Sequence, residues 1–212
     1  MHQKQMKLSQ SKISYLDRIN LNETINSGQV FLWEKKEASW YGINGQDVIE
    51  ISENPLKIKS LNNNTDRFFR FDDNIEEVFQ SISKDKIVKN AVKRFRGLRL
   101  LRQDPFQCYI SFIVSSNSNI QNIKNCLKKI CVNFGEKTEY QKNEFYLFPT
   151  AKVLSKTSIS DLLKCGLGYR AKYVKKAAQD VANGKIDFEY LKNVDYNTAK
   201  AKLLERFGIG NK

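Results

Sequence analysis

The spacing of apolar residues changes once along this chain, near residue 64, and this change limits the folds that the chain can adopt. Before it, aromatic and β-branched residues alternate with polar ones in short segments that are typical of strands. We predict strands at residues 29–33, 39–43, 48–51 and 56–60. Asn44 and Gly45 separate the second and third strands, and Asn-Gly favours a tight hairpin turn because both residues tolerate a positive φ. An antiparallel sheet is therefore expected.

After residue 64 the apolar residues recur every three or four positions, which indicates helices. Residues that can cap these helices are Asp72 or Asp73, Asp104 before Pro105, Asn119, and Ser158 with Asp161. A last helix is expected at residues 195–206. The prediction is an α+β chain with a disordered start at residues 1–12, an N-terminal antiparallel sheet domain with flanking helices at residues 13–100, and an all-α domain at residues 101–212.

The net charge of +13 is concentrated in the second part of the chain. Residues 1–80 hold 10 Lys and Arg against 12 Asp and Glu, whereas residues 81–212 hold 26 against 11. Such an asymmetry favours a surface that binds a polyanion, and nucleic acid is the leading partner. Lysines that only solvate exposed faces would give the same count, so charge alone leaves this second interpretation open.

Cysteine and histidine are too few and too scattered to predict a metal site. Cys108, Cys126, Cys131 and Cys165 show no C-x-x-C spacing, and His2 is the only histidine. We therefore expect no zinc site, no iron–sulfur cluster and no cofactor, and we expect reduced, buried thiols. The apolar runs are far shorter than the roughly 20 residues of a membrane helix, and no secretory signal is visible. An intracellular protein is the expectation.

The last ten residues, Leu-Leu-Glu-Arg-Phe-Gly-Ile-Gly-Asn-Lys at 203–212, predict a helix that runs into a Gly-x-Gly turn. A helix-hairpin-helix begins in this way. Gly208 and Gly210 would let the backbone turn and bring bare N–H groups against a phosphate, while Ile209 would fill the gap between the helices. A plain helix C-cap with a glycine-rich tail is an equal alternative from the turn alone.

Lys212 is a candidate nucleophile. It would lie at the N-terminus of the second hairpin helix and among many cations. The positive end of the helix dipole and the neighbouring positive charges both favour the neutral amine. A neutral amine can attack C1′ of a nucleotide, displace the base and form an imine that promotes loss of the 3′ phosphate. The commoner role of a lysine after Gly-x-Gly is a point charge against phosphate.

Four segments, in order, resemble the 8-oxoguanine DNA glycosylase family of the helix-hairpin-helix superfamily, over about residues 20–212. They are Ser-Gly-Gln-Val-Phe-Leu-Trp at 27–33 followed by Trp40 and Gly42, Gly-Leu-Arg-Leu-Leu-Arg-Gln-Asp-Pro at 97–105, Ser-Ser-Asn-Ser-Asn-Ile at 115–120, and Gly-Leu-Gly-Tyr-Arg-Ala at 166–171. Any one could arise by chance, whereas four in order are specific. The resemblance implies a bifunctional base-excision repair enzyme that kinks duplex DNA, flips out an oxidised guanine and cleaves its glycosidic bond.

The resemblance also implies a role for individual residues. Gly28 matches the glycine whose carbonyl accepts a hydrogen bond from the protonated N7 of the lesion, although a tight turn would also explain it. Asn117 matches the asparagine that fills the hole left by the flipped base and contacts the orphaned cytosine, but it could be a helix cap. Tyr169 matches an aromatic residue that wedges into the duplex beside this asparagine, although it could be an ordinary surface aromatic residue. Arg170 matches a second contact to that cytosine.

The chain departs from the family pattern at two places. Asn122 stands where the family usually has an arginine that contacts the cytosine, so the opposite-base preference is expected to be relaxed. The sequence also stops inside the hairpin, at Lys212, so we expect a C-terminally incomplete enzyme that lacks the downstream aspartate of the family. Such a chain is expected to bind DNA weakly by itself. The missing C-terminal segment is the expected protein partner, and without it we expect a monomer. A non-catalytic damaged-DNA-binding module is the main alternative. RNA binding through the basic helices is a third alternative, and it is disfavoured because the sequence shows no aromatic sheet motif of the usual RNA-binding modules.

Overall fold

The structure is a computed structural model that describes residues 19–53, 56–62 and 65–210. The predicted disordered start and the candidate nucleophile Lys212 lie outside the described residues. The chain divides into two compact units. The sheet unit comprises Met1–Gly42 and Asp47–Arg102, and the helical unit comprises Ile43–Gln46 and Gln103–Lys212.

The sheet unit is built on a four-stranded antiparallel sheet with the order β1-β2-β3-β4. The strands are β1 (Trp33–Lys36), β2 (Ser39–Asn44), β3 (Asp47–Glu53) and β4 (Leu56–Ser60). β1 pairs with β2 in a register that sets Trp33 against Gly42, and β3 pairs with β4 in a register that sets Ile51 against Ile58. The predicted antiparallel sheet is confirmed.

The first predicted strand was placed wrongly, because β1 begins at Trp33 instead of residue 29. The side-chain amide of Gln29 donates to the Arg99 carbonyl at 2.8 Å and accepts from the Leu101 N–H at 2.8 Å. These bonds tie the Gln29 segment to residues 99–101. They also join two of the segments that carry the family resemblance.

The hairpin turn lies one residue later than predicted, with Gly45 and Gln46 at its centre. Gly45 has a φ of 61°, whereas Asn44 ends β2 and has no positive φ. The Asn44 side chain accepts from the Asp104 N–H at 2.6 Å, and the Gly45 N–H donates to the Gln107 side chain at 2.7 Å. Contacts inside the helical unit therefore fix where this turn lies.

The core of the sheet unit is aromatic. Trp33 stacks on Phe68 at a centroid separation of 5.6 Å, and Phe68 meets Phe69 edge to face at 4.9 Å. A Cβ atom at position 42 would lie 2.0 Å from the Trp33 ring, so only glycine leaves room for the indole there. The spacing of Trp33 and Gly42 in the family-like segments thus has a packing reason.

The helices of the sheet unit are α1 (Leu21–Asn26), α2 (Thr65–Phe69), α3 (Ile75–Ile82) and α4 (Lys86–Arg94). α3 is capped by Asn74 and not by Asp72 or Asp73, which corrects the prediction. Both aspartates instead pair with Arg102, at 3.1 and 3.2 Å. Their carboxylates are therefore engaged by a cation, and the neutral Asn74 amide takes the cap.

The helices of the helical unit are α5 (Pro105–Ser115), α6 (Ile120–Phe134), α7 (Ala151–Lys156), α8 (Ile159–Lys164), α9 (Arg170–Ala182), α10 (Phe188–Asn193) and α11 (Tyr196–Leu204). The predicted caps Asp104, Asn119 and Ser158 are confirmed, because each side chain accepts a backbone N–H from the first turn. The four cysteines are free, and burial raises the pKa of the Cys131 thiol to about 12.

The α+β class is confirmed, but the second unit is not all-α. A two-stranded antiparallel hairpin, β5 (Lys137–Tyr140) and β6 (Asn143–Tyr146), follows α6. Gln141 and Lys142 form its turn with φ values of 50° and 61°. Neither residue type is a usual signal for a positive φ, so the sequence pattern did not reveal this hairpin.

Within the described residues, no helix combines the length and the hydrophobicity that crossing a membrane requires.

Asp104 provides a pH-dependent test of the helical unit. Burial raises the pKa of its carboxyl, although N–H groups of Gln107 and Phe106 oppose the shift. Because the folded pKa lies above the unfolded one, ionisation of Asp104 costs stability as the pH rises from about 4 through the folded pKa. We expect Asp104→Asn, which keeps a cap acceptor, to be at least as stable as the wild type at pH 7, with this advantage lost near pH 4. Urea unfolding followed by circular dichroism at several pH values measures this, and an advantage that grew on acidification would contradict it.

Candidate nucleic-acid interface

Asn117 lies in the short connection between α5 and α6 and is exposed. Its φ is 48°, in the left-handed region that few residue types other than glycine adopt. It caps neither helix, because Ser116 is the C-cap residue of α5 and Asn119 is the N-cap residue of α6. Within the described part of the chain, the Asn117 side-chain amide makes no hydrogen bond. It is therefore free to bond to a ligand.

Arg170 holds the backbone of this connection. Its Nε atom donates to the Ser116 carbonyl at 2.6 Å, and its Nη2 atom donates to the Asn117 carbonyl at 2.7 Å. Nη1 lies 3.4 Å from the Leu167 carbonyl. The residue is only 8% exposed, so its charge is taken up by backbone oxygens.

Tyr169 covers the outer side of this arrangement. The Arg170 guanidinium lies 4.8 Å from the centre of the Tyr169 ring, and the Tyr169 hydroxyl lies 3.5 Å from the Ser116 carbonyl. Tyr169 is 53% exposed even though it touches both neighbours. A large aromatic ring held in place but open to solvent can stack on a nucleobase.

Two further aromatic residues continue from Tyr169 to the glycine turn. Tyr169 meets Tyr173 edge to face at 6.0 Å, and Tyr173 packs against Phe207 at 4.9 Å. Phe207 is 57% exposed. The sequence analysis did not single out Tyr173 or Phe207, although the spacing of four between Tyr169 and Tyr173 on one helix face was a visible signal.

The predicted Gly-x-Gly turn follows α11. Gly208 has a φ of 89°, and the Ile209 N–H donates to the Arg206 carbonyl at 3.2 Å. A Cβ atom at position 208 would come within 2.6 Å of the Tyr173 ring, whereas one at position 210 would meet nothing within 4 Å. Tyr173 therefore packs closely on the backbone of the turn at Gly208.

These contacts bring Asn117, Tyr169, Arg170 and Gly208 into one continuous set, which we call the Asn117–Gly208 face. It consists of Ser116, Asn117, Tyr169, Arg170, Tyr173, Phe207 and Gly208. Asn122 lies close by on α6, where its amide donates to the Ser118 hydroxyl at 2.8 Å.

Gly28 belongs to the sheet unit. It follows the last turn of α1 with a φ of 86°. Within the described residues its carbonyl accepts no hydrogen bond, so this oxygen is available to a donor. The conformation also supports the simpler interpretation of a helix C-terminal glycine.

A separate cavity of about 520 Å³ lies in the helical unit, bordered by Asp104, Phe106, Phe148, Ile186 and Phe188. None of the predicted site residues lines it. Among the described residues, no group of three or more His, Cys, Asp or Glu side chains is arranged to hold a metal ion. The Asn117–Gly208 face therefore remains the best candidate site.

Comparison with known proteins agrees with the fold. Residues 110–209 match the helix-hairpin-helix superfamily of base excision DNA repair proteins, which is the class that the helical unit defines. Residues 12–109 match the N-terminal domain of 8-oxoguanine DNA glycosylase. The chain therefore belongs to the 8-oxoguanine DNA glycosylase family of this superfamily.

Individual relatives show the extent of the similarity. The chain is 32% identical over 158 residues to an N-glycosylase/DNA lyase of Saccharomyces cerevisiae. The aligned residues make up 69% of this chain and 42% of the yeast protein. It is 30% identical over 174 residues to a probable N-glycosylase/DNA lyase of Methanothermobacter thermautotrophicus, covering 73% and 55%. The chain thus spans about half the length of the curated relatives it matches.

The fold matches solved structures over most of the chain. The apo form of Clostridium acetobutylicum 8-oxoguanine glycosylase/lyase superposes with a TM-score of 0.83 and 30% identity, over 91% of this chain and 70% of that one. The same enzyme in complex with double-stranded DNA containing cytosine opposite 8-oxoguanine gives the same TM-score, over 91% and 69%.

Proposed function

We propose that this protein is a DNA glycosylase and AP lyase of base-excision repair that excises 8-oxoguanine from duplex DNA. The observation that carries the proposal is the Asn117–Gly208 face, where the family-like segments 115–120 and 166–171 and the glycine turn meet through contacts of 2.6–6.0 Å. The family membership and the basic second part of the chain support it. Because the proposed substrate is DNA, we also propose an intracellular location. We propose a monomer as the acting species.

Lys212 is the proposed nucleophile. Its neutral amine attacks C1′, the C1′–N9 bond breaks, and the electron pair leaves with the base, which takes up a proton. Opening of the sugar gives an imine between Nζ and C1′. Loss of a C2′ proton then expels the 3′ phosphate, so one lysine accounts for both the glycosylase and the lyase step.

Gly28 is proposed to distinguish the lesion from guanine. Normal guanine has an unprotonated N7, whereas 8-oxoguanine has an N7–H, and a backbone carbonyl can accept only from the latter. The carbonyl of Gly28 has no partner within the described residues, which supports this role. With normal guanine, the Gly28 carbonyl oxygen would face the unprotonated N7, which is itself a hydrogen-bond acceptor.

The Asn117–Gly208 face is proposed to bind the distorted duplex. Asn117 enters the space left by the flipped base, Tyr169 wedges beside it, and the backbone N–H groups of the turn at Gly208 and Gly210 contact phosphate. We carry Arg170 over from the family as a second contact to the orphaned cytosine. Asn122 cannot replace the arginine of the family, so we propose a weaker preference for cytosine opposite the lesion.

The test is single-turnover release of free base and strand scission on four duplexes. These contain 8-oxoguanine opposite cytosine, 8-oxoguanine opposite adenine, an abasic site opposite cytosine, or guanine opposite cytosine. We expect base release from both lesion duplexes and none from the guanine duplex. Lesion-specific binding without base release would favour the non-catalytic damaged-DNA-binding module, and equal binding to all four duplexes would refute lesion recognition.

DNA affinity is expected to fall steeply with salt because phosphate contacts release condensed counterions. With about four such contacts, the Kd should rise about 100-fold between roughly 50 and 200 mM KCl. Fluorescence anisotropy of a labelled duplex measures this slope. A Kd that stayed constant over this range would contradict the assignment of the basic second part of the chain to phosphate binding.

A further inference from the structure

α4 is the most basic element among the described helices and strands of the sheet unit. Four of its nine residues are Lys or Arg, and none is Asp or Glu. Residues 1–80, by contrast, hold more acidic than basic side chains. Positive charge is therefore concentrated on one helix of a unit that is otherwise close to neutral.

Three of the cations on α4 form a stripe. Lys86, Lys89 and Lys93 follow the i, i+3, i+7 spacing, so their side chains leave the same side of the helix. All three are exposed, whereas Val88 and Val92 are half-buried on a different side. We call Lys86, Lys89 and Lys93 the α4 stripe.

The α4 stripe has no counter-charge within the described residues. Neighbouring acidic side chains are engaged elsewhere: Asp85 accepts from the Val88 N–H at 2.9 Å. Glu76 on α3 pairs with Arg96 at 2.6 Å, and Glu77 accepts from the side-chain amide of its own helix cap at 2.7 Å. The three ammonium groups are therefore available to an external anion.

This arrangement is unfavourable for an isolated helix. Like charges three or four residues apart repel each other, and both spacings occur in the α4 stripe. Lys86 is also the first residue of α4, where the positive end of the helix dipole disfavours a cation. Glutamine would form the helix almost as well without the repulsion. A bound polyanion would offset this repulsion, and that favours a binding role for the α4 stripe.

The length of the α4 stripe fits a phosphate backbone. A rise of about 1.5 Å per residue places Lys86 and Lys93 about 10 Å apart along the helix axis. Successive phosphates of one DNA strand are about 3.4 Å apart along the duplex axis, so the stripe spans about three nucleotide steps. Flexible lysine side chains act as point charges on phosphates and do not read the bases.

We propose that the α4 stripe is a second phosphate-binding surface, which binds duplex DNA whether or not the duplex contains a lesion. The assignment rests on the proposed function, because DNA is the ligand in both, but it uses other residues than the Asn117–Gly208 face. Contacts of this kind add affinity for any sequence and let a protein slide along undamaged DNA. The α4 stripe therefore serves the search for damage and not the recognition of the lesion.

The test is a variant that combines Lys86→Gln, Lys89→Gln and Lys93→Gln, with Kd for an undamaged duplex measured by anisotropy at several salt concentrations. The Kd should rise about tenfold or more at roughly 50 mM KCl, and the slope of log Kd against log salt should fall by about 2. The ratio of Kd values for the guanine and 8-oxoguanine duplexes should stay unchanged, because phosphate contacts carry no information about the base.

The matched control removes the same charge from three scattered, exposed positions: Lys57→Gln, Lys152→Gln and Lys185→Gln. Its Kd should rise less than about threefold, since only the overall field of the protein is reduced. The midpoint of urea unfolding of the stripe variant should equal or exceed that of the wild type, because like-charge repulsion is removed. A loss of affinity then reflects binding and not misfolding.

Lysine footprinting of the wild type locates the contact directly. Undamaged duplex should slow acylation of the α4 stripe by an N-hydroxysuccinimide ester and leave Lys57 on β4 unaffected, as read by mass spectrometry. An unchanged Kd and salt slope in the stripe variant, or an equal loss in the control, would overturn the proposal, as would acylation that DNA does not slow. A chain that released no 8-oxoguanine would contradict the proposed function, whereas these measurements use undamaged DNA and would still decide the role of the α4 stripe.

Discussion

Replacing Lys212 by glutamine is expected to lower base release and strand scission by about 10³-fold or more. The amide of glutamine has no free electron pair that can attack C1′, and it cannot form the imine from which the 3′ phosphate leaves. DNA affinity should stay close to that of the wild type, because a single cation among many is removed. Single-turnover kinetics at saturating protein separate this loss of chemistry from any loss of binding.

The control for Lys212→Gln is Lys202→Gln, which removes the same charge from the exposed surface of α11. It should retain activity close to that of the wild type. If both variants lost activity equally, the effect would come from charge and not from a nucleophile. A Lys212→Gln variant that still cleaved the lesion duplex at the wild-type rate would remove Lys212 from the mechanism.

Replacing Gly208 by alanine is expected to weaken DNA binding by about tenfold or more. An L-residue in the left-handed region costs about 1–2 kcal/mol. The new Cβ atom would also lie 2.6 Å from the Tyr173 ring, so the turn and the ring cannot both keep their places. Anisotropy with an abasic duplex measures the loss, because this duplex needs no lesion recognition.

Two further variants separate strain from steric clash at Gly208. Gly184→Ala introduces the same kind of strain at a φ of 71°, with nothing within 4 Å of its Cβ, and should leave DNA affinity unchanged. Adding Tyr173→Ala to Gly208→Ala should recover part of the folding stability lost in the single variant, because the clash disappears. Purely additive stability losses would contradict the close packing of Tyr173 on the turn.

The predicted features that were confirmed depend on neighbours in sequence. Asp104, Asn119 and Ser158 cap their helices through hydrogen bonds to a residue three positions away, and such chemistry is visible in the sequence. The alternation of apolar residues likewise placed β2 and β4. Local pattern and local structure agree at these places.

Two of the errors occur where a distant contact decides the backbone. Gln29 bonds to Arg99 and Leu101, so the segment before Trp33 does not join the sheet. Asn44 accepts from Asp104, and the turn moves to Gly45 and Gln46. None of these three partners could be identified from the sequence pattern around Gln29 or Asn44.

The candidate site shows the same difference between features set by sequence neighbours and features set by distant contacts. Asn117, Tyr169 and Arg170 stood out through short family-like segments, but their mutual contacts could not be read from the sequence. An arginine at a helix N-terminus suggests an exposed side chain, whereas Arg170 is buried against two carbonyls 53 and 54 positions away in the chain. The roles assigned to these residues, and to Gly28, Gly208, Gly210 and Lys212, remain predictions.

The most direct test of the central claim is borohydride trapping with identification of the modified residue. The protein is incubated with 8-oxoguanine, abasic and guanine duplexes, each opposite cytosine, then reduced and digested for peptide mapping by mass spectrometry. We predict a covalent adduct on Lys212 with the lesion and abasic duplexes and none with the guanine duplex. An adduct on another amine, or none with the lesion duplex while binding persists, would contradict excision through Lys212.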